Sequence, residues 1–250
     1  MDVESFVREG FLRIDGAFDA DAAAVVRRAI LAAAGCTDAP ESWTRSVVRL
    51  GMFDAPPFVR PANTPALRAA FDALVGPGRW LPCGSMGTFR VAFPSDAIAD
   101  DAGWHVDPSF GYKHPDFLEW RVNFRSRGRA LLMLFLFSDV GEDDAPTRLR
   151  LGSHVDVARS LGDAGEPGMT LRELVADDFG DSTERPIALA TGTAGTVYLC
   201  HPFLVHSAAK THGGSRPRVL AQPPLLPAEP LDPHRADPSP IERAIRLALS

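Results

Sequence analysis

Over residues 80–222 the apolar positions fall in short blocks, continuous or alternating, each closed off by Gly, Pro, Asp or Ser. Blocks of that length between turn residues have the periodicity of strands in a sandwich or barrel. They predict strands over 85–93, 130–138, 148–151, 187–189, 196–200, 204–207 and 218–222. The first third has a different texture. Phe6, Phe11, Leu12, Ile14 and Phe18 around Gly10 and Gly16 suggest a short helix followed by a strand. An Ala-rich stretch over 19–34 has high helix propensity and stops at Gly35. Val47, Val48 and Leu50 suggest a short strand. Thr64-Pro65 reads as an N-cap with proline in the first turn, followed by Leu67, Phe71, Leu74 and Val75 at helical spacing up to Gly76-Pro77-Gly78. Helices first and strands after predict a mainly β protein, a barrel or jelly roll buttressed by helices on one face.

Two long connections interrupt the strands. Residues 94–104 form an acidic loop with Asp96, Asp100 and Asp101; residues 155–185 form an insertion in which Thr170-Leu171-Arg172-Glu173 is a capping box for a short helix. An insertion of that length on a compact barrel is expected to be either a lid, the favoured reading, or a mobile loop. Residues 223–240 read as proline-rich extended chain, and Ser239-Pro240-Ile241-Glu242 opens a terminal helix. The expected organisation is one domain over 1–250: helical support over 1–80, the β core over 81–222 with the insertion at 155–185, and the tail with its helix over 223–250.

Composition narrows the function. With 45% hydrophobic residues the chain can bury a sizeable core, and its net charge of -6 argues against a nucleic-acid partner, whose phosphates demand a basic face. Cys36, Cys83 and Cys200 are far apart and form no C-x-x-C pair, so neither a disulfide framework nor a zinc knuckle is expected. The N-terminus has no basic and apolar leader pattern, and no apolar run approaches the ~20 residues that span a bilayer. A soluble, cytoplasmic protein without membrane contact is the expectation.

The candidate chemistry lies in His-x-Asp pairs. Residues two apart in extended backbone face the same side, so such a pair offers one metal an imidazole and a carboxylate; a distant His completes the facial triad used by non-haem Fe(II). Three pairs occur: His105/Asp107, His114/Asp116 and His154/Asp156. Only His105/Asp107 lies between two strong predicted strands. Pro115 and polar neighbours put His114 on an exposed loop, and His154 follows Gly152-Ser153 at a turn, where it is structural, lines the site or faces water. For the distant ligand, His201 precedes Pro202 and His212 sits beside Gly213-Gly214, which leaves His206, after Phe203-Leu204-Val205, as the best placed. Arg218 opens the next predicted strand, and a hairpin from His206 would return its guanidinium toward the metal, where it can grip a carboxylate bidentately. Arg216 is the alternative. Trp104 either walls the pocket or packs as core.

This set resembles the phytanoyl-CoA dioxygenase-like branch of the Fe(II)/2-oxoglutarate-dependent oxygenases, on Trp104-His105-Val106-Asp107, residues 145–154 (Ala-Pro-Thr-Arg-Leu-Arg-Leu-Gly-Ser-His), His206-Ser207, Arg218 and the opening segment Phe11-Leu12-Arg13-Ile14-Asp15-Gly16. The resemblance implies a double-stranded β-helix, a jelly roll of cupin type. It implies His105, Asp107 and His206 as iron ligands, Arg218 as the partner of the distal carboxylate of 2-oxoglutarate, and Thr147 as a further contact to that cosubstrate. Fe(II), 2-oxoglutarate and O2 are the implied cofactors. The implied reaction is hydroxylation of an unactivated C–H with release of succinate and CO2. Asp107 stands where related halogenases carry Gly or Ala, which disfavours a halide site. The sequence departs from the family pattern at Lys210-Thr211-His212, where an asparagine is common, and at Leu134, where some members have an aromatic; a further contact from the 45–49 region stays open. The substrate is expected to be a small molecule, a secondary metabolite or amino-acid derivative. The alternatives are a 2-oxoglutarate-independent metalloenzyme on the same barrel and an inactive barrel serving as a binding module.

Overall fold

The structure is a computed structural model and describes residues 1–250. The helix Val3–Glu9 starts at Asp2, whose carboxylate accepts from the Ser5 N–H at 2.9 Å, and ends at Gly10 with φ 90°. Glycine is required there twice over: the positive φ disfavours a side chain, and a Cβ would fall 2.5 Å from His154 Nδ1. The strand Phe11–Ile14 follows, then the helix Ala20–Ala33, capped by Asp19, the strand Val47–Leu50 and the helix Pro65–Leu74, capped by Thr64. These elements sit where the apolar spacing predicts them.

The β core consists of antiparallel pairs. A seven-stranded sheet runs in the order Phe11–Ile14, Val197–Cys200, Leu131–Leu136, Arg218–Ala221, Phe89–Ala92 and Val47–Leu50, with Pro224–Leu225 pairing with Leu131–Leu136 beyond the end of Arg218–Ala221. A three-stranded sheet joins His206–Ser207, Arg148–Arg150 and Ile187–Leu189. A third pair, Arg121–Val122 with Met169–Thr170, ties the insertion to the core. The arrangement is mainly antiparallel sheet with helices, consistent with a cupin-like fold. The strand Leu131–Leu136 explains its own sequence, Leu-Leu-Met-Leu-Phe-Leu. Leu131, Met133 and Phe135 join the large cluster that includes Val26, Ile30, Leu67 and Phe71 of the helices. Leu132, Leu134 and Leu136 face the other way, packing with Tyr198 and Leu220 of the same sheet and with Leu149 of the smaller one. A strand buried on both faces has no need of alternation.

Two features differ from the linear organisation the sequence suggests. The first 80 residues are not only helical support, because Phe11–Ile14 and Val47–Leu50 form the two outer strands of the large sheet. The insertion is a packed helical layer. Its helix Ser153–Ala164 buries Val157, Ala158 and Leu161 and lies against the terminal helix Pro240–Leu249, while Arg185 clamps Asp156 at 2.8 and 2.7 Å. The capping boxes at Thr170/Glu173 and Ser239/Glu242 both form. No helix is long and apolar enough to cross a membrane.

His154 lies in the first turn of Ser153–Ala164, inside this helical layer. Its Nε2 donates to the Val7 carbonyl at 3.0 Å, and its ring centroid is 4.9 Å from that of His201. Both side chains are fully buried. Burial pushes the His154 pKa down to about 4, the Val7 bond opposing it only in part, and burial together with the neighbouring His154 holds His201 well below the usual range. Both are therefore neutral in the fold and protonated in the unfolded chain once the pH passes below about 6.5. Their contribution is complete above that pH and is lost as the pH falls toward 4, at about 1.4 kcal/mol per pH unit per histidine. Urea denaturation should show wild-type stability falling between pH 7.5 and pH 5. In His154→Gln that fall should shrink by about 2 kcal/mol; an unchanged pH difference would show that His154 is not the titrating group.

Candidate metal centre

The site is built on one backbone pairing between the loop after Phe89–Ala92 and the strand His206–Ser207. The His105 N–H donates to the His206 carbonyl and the His206 N–H to the His105 carbonyl, each at 2.9 Å. Directly opposed residues of an antiparallel pair project to the same face. The two imidazoles accordingly lie with centroids 4.3 Å apart. Asp107 lies two residues further along the chain, and its Oδ1 is 3.9 Å from His206 Nε2. One potential ligand atom from each of His105, Asp107 and His206 lies within 4.8 Å of the others, the one cluster of three or more His, Cys, Asp or Glu side chains arranged to hold a metal.

Hydrogen bonding selects the ligand tautomer. His105 Nδ1 lies 3.0 Å from the Gly103 carbonyl and His206 Nδ1 3.0 Å from the Leu204 carbonyl, so both nitrogens must donate and each Nε2 is left with a lone pair. The Nε2 of His206 is buried without a partner. Burial, reinforced by His105 and opposed by Asp107, lowers the His206 pKa to about 4, which keeps the ring neutral and able to ligate. Burial alone would raise the pKa of Asp107, but Arg129, whose Nη1 is 3.0 Å from Asp107 Oδ2, and the two histidines bring it below the ordinary value. Two imidazoles with free Nε2 atoms and one ionised carboxylate form a donor set that suits a divalent metal.

The preceding residue fixes the loop from outside. Trp104 is covered by the guanidinium groups of Arg148 and Arg150, at 4.6 and 4.3 Å from its ring centroid, and Arg148 Nη2 donates to the Ala102 carbonyl at 3.3 Å. Both arginines project from the outer side of their strand, opposite Leu149. Trp104 therefore braces the loop and does not line the cavity.

A cavity of about 90 Å³ connects His105 and His206 to Thr147 and Arg218. Arg218 is 1% exposed; its Nη1 donates to the Ala145 carbonyl at 2.6 Å, while Nε and Nη2 are buried with no partner. Burial and the nearby Arg90 push its pKa down to about 9 against the opposing effect of Asp101, so it stays charged at neutral pH. Two buried, unpartnered donors on one guanidinium cost about 1–3 kcal/mol each and match the two oxygens of a carboxylate. Arg216 is exposed and lines a separate groove of about 660 Å³ with Arg27 and Asp38, away from the metal cluster.

Three side chains of this cavity carry no recognisable signal in the sequence except in retrospect. Arg90 breaks an otherwise apolar strand, Phe-Arg-Val-Ala, and projects inward beside Leu220, its register partner. Asp101 of the acidic loop accepts from Arg90 Nε and Nη2 at 2.8 and 2.9 Å and from Arg49 at 2.7 Å, which pins that loop over the cavity. Gln222 lines the same wall. Arg49, from the 45–49 region, is thus engaged with Asp100 and Asp101. The remaining histidines are elsewhere: His114 on an exposed loop, His154 and His201 in the helical layer, His212 buried with its Nδ1 accepting from the Gly214 N–H, and His234 exposed in the C-terminal tail.

No model of a known protein family matches the sequence, and no curated protein does. Solved structures do match. The non-haem, alpha-ketoglutarate-dependent epimerase SnoN from nogalamycin biosynthesis is 17% identical with a TM-score of 0.54, over 88% of this chain and 78% of that one. EctD from S. alaskensis, solved with bound Fe, is 21% identical with a TM-score of 0.55, over 90% and 74%. HygX from Streptomyces hygroscopicus, solved with nickel and 2-oxoglutarate, is 17% identical with a TM-score of 0.53, over 86% and 81%. This chain has the fold of the iron/2-oxoglutarate-dependent enzymes. That agrees with the phytanoyl-CoA dioxygenase-like resemblance of its motifs. SnoN has also been solved with nogalamycin RO and HygX with hygromycin B, both small molecules.

Within that fold the residues present fit the implied groups, the His-Asp-His cluster a divalent metal and the free donors of Arg218 a carboxylate. Replacing Arg218 by Ala should weaken 2-oxoglutarate binding at least about 30-fold, the loss expected for one partner of a buried charged pair. Arg216→Ala should stay within about twofold. Calorimetric titration of the Mn(II)-loaded proteins makes the comparison, and the reverse ranking would assign the role to Arg216.

Proposed function

We propose that the protein is an Fe(II)/2-oxoglutarate-dependent dioxygenase on a double-stranded β-helix, hydroxylating an unactivated C–H of a small molecule with release of succinate and CO2. The observation that carries this reading is a three-residue metal cluster and a buried arginine with two unpartnered donors at the ends of one small cavity. His105, Asp107 and His206 would hold the metal by one face, leaving three positions open. The iron, once bound with 2-oxoglutarate, supplies the activation of O2. Everything else falls to the chain's own side chains. Arg218 neutralises and orients the distal carboxylate of the cosubstrate, the Thr147 hydroxyl contacts it from the same cavity, and Leu220 and the strands behind it exclude water.

The donor pair of Arg218 favours this reading over a metalloenzyme that works without 2-oxoglutarate, for which a buried guanidinium with two idle N–H donors would be a cost with no return. The complete ligand set argues equally against an inactive binding module. Asp107 fills the position that a halide would need, which favours hydroxylation over halogenation. The small-molecule ligands of SnoN and HygX support a small-molecule substrate here.

Anaerobic addition of Fe(II) and 2-oxoglutarate should produce a metal-to-ligand charge-transfer band, and admission of O2 should yield succinate. Asp107→Ala should lose the band and lower succinate formation by at least about tenfold. Wild-type protein that gives neither signal above the Asp107→Ala control would exclude the dioxygenase reading.

A further inference from the structure

Arg129 is not needed to assemble the metal cluster, and its surroundings are unusual. It lies at the end of a tight turn in which the Arg129 N–H donates to the Ser126 carbonyl at 3.3 Å and the Ser126 hydroxyl to the Arg129 carbonyl at 2.5 Å, just before the central strand Leu131–Leu136. The turn presses on the segment that follows Asp107: a Cβ on Gly128 would fall 2.5 Å from the Ser109 carbonyl oxygen. The Arg129 side chain is 14% exposed, and its one carboxylate neighbour within 4 Å is Asp107, Nη1 to Oδ2 at 3.0 Å. Buried arginines elsewhere in the fold are tied to other protein groups, Arg218 to the Ala145 carbonyl and Arg90 to both oxygens of Asp101. Arg129 has no such second anchor, and its Nε and Nη1 lack an aligned hydrogen-bond acceptor.

The two oxygens of Asp107 thus face different partners, Oδ1 toward His206 and Oδ2 toward Arg129. We propose, building on the dioxygenase reading, that Arg129 is the positioning residue of the metal centre, holding Asp107 by its outer oxygen so that the carboxylate offers the metal Oδ1 alone. The consequence concerns the open positions. A carboxylate free to turn can present both oxygens to a metal and occupy a position that a chelating 2-oxo acid requires. One held by Oδ2 cannot, so the three positions stay available. The guanidinium charge acts in the same direction, because it lowers the negative potential that an incoming dianion would meet at the Asp107 edge.

Two readouts separate this role from a purely structural one. The first is the EPR spectrum of the Mn(II)-loaded protein without 2-oxoglutarate, which reports the ligand geometry in the absence of cosubstrate. The second is the 2-oxoglutarate dissociation constant, taken anaerobically from the charge-transfer band of the Fe(II) protein. Arg129→Met should alter the Mn(II) spectrum and weaken 2-oxoglutarate at least about tenfold, with thermal stability retained. Arg129→Lys, which restores a cation near Oδ2, should bring the dissociation constant back to within about threefold of wild type. If Arg129→Met does not fold, Arg129→Gln, which keeps a polar group without the charge, is held to the same two criteria. An unchanged Mn(II) spectrum with a dissociation constant within twofold of wild type overturns the proposal. A changed dissociation constant with an unchanged Mn(II) spectrum also overturns it, since Arg129 would then act on the cosubstrate and not through Asp107. If wild type forms no charge-transfer band, the dioxygenase reading fails, and the Mn(II) spectra alone still decide whether Arg129 positions Asp107.

Discussion

Two backbone hydrogen bonds between His105 and His206 carry the organisation of this protein. They join a loop that belongs to no regular strand to a two-residue strand of the smaller sheet, and they fix the register at which two imidazoles share a face. A shift of one residue on either side would turn one ring away from the other, because the side-chain period of extended backbone is two. Much of the surrounding structure defends that register. Trp104 is held under Arg148 and Arg150, Arg49 and Arg90 pin the acidic loop through Asp101, and the pairing of His206–Ser207 with Arg148–Arg150 ties His206 to the same sheet that carries those arginines.

The centre is also a problem in burying charge. Asp107, Arg129, Arg90, Asp101 and Arg218 crowd one part of an otherwise apolar β core, where an uncompensated ion is costly. The pairing is nearly complete. Arg90 is matched by Asp101 and Arg129 by Asp107, which leaves Arg218 as the cation without a carboxylate. A buried guanidinium with two free donors is suited to pair with an anion. The burial that makes Arg218 expensive also keeps His206 neutral and its Nε2 free, so one physical cause prepares both ends of the cavity.

The helices do their work at a distance. The large sheet is apolar on both faces, one packed on the helices and the other facing Leu149 of the smaller sheet, so it cannot stand without the helical layer that Val26, Ile30, Leu67 and Phe71 contribute. The terminal helix Pro240–Leu249 and the insertion helix Ser153–Ala164 pack together and enclose the His154–His201 pair. Histidines in that layer serve packing, while His105 and His206 are arranged as a group that could hold a metal. Environment separates the two roles, since residue type is shared.

The sequence by itself determined the elements and half of the centre. Local signals suffice for a capped helix such as Pro65–Leu74, a doubly buried strand such as Leu131–Leu136, or a His-x-Asp pair, because each depends on residues a few positions apart. Motif order was enough to single out His105, Asp107, His206 and Arg218 as candidates. Only the tertiary structure decided which strands close the sheet, so that Phe11–Ile14 and Val47–Leu50 became its outer strands and the 155–185 insertion a packed helical layer. It also decided the partners of the charges: Arg90 with Asp101, Arg129 with Asp107, and Arg218 with a single backbone carbonyl. The reason is physical. An arginine's sequence neighbours say little about what it meets after burial, and the cost of leaving a charge unpaired arises only when distant strands come together and remove the water.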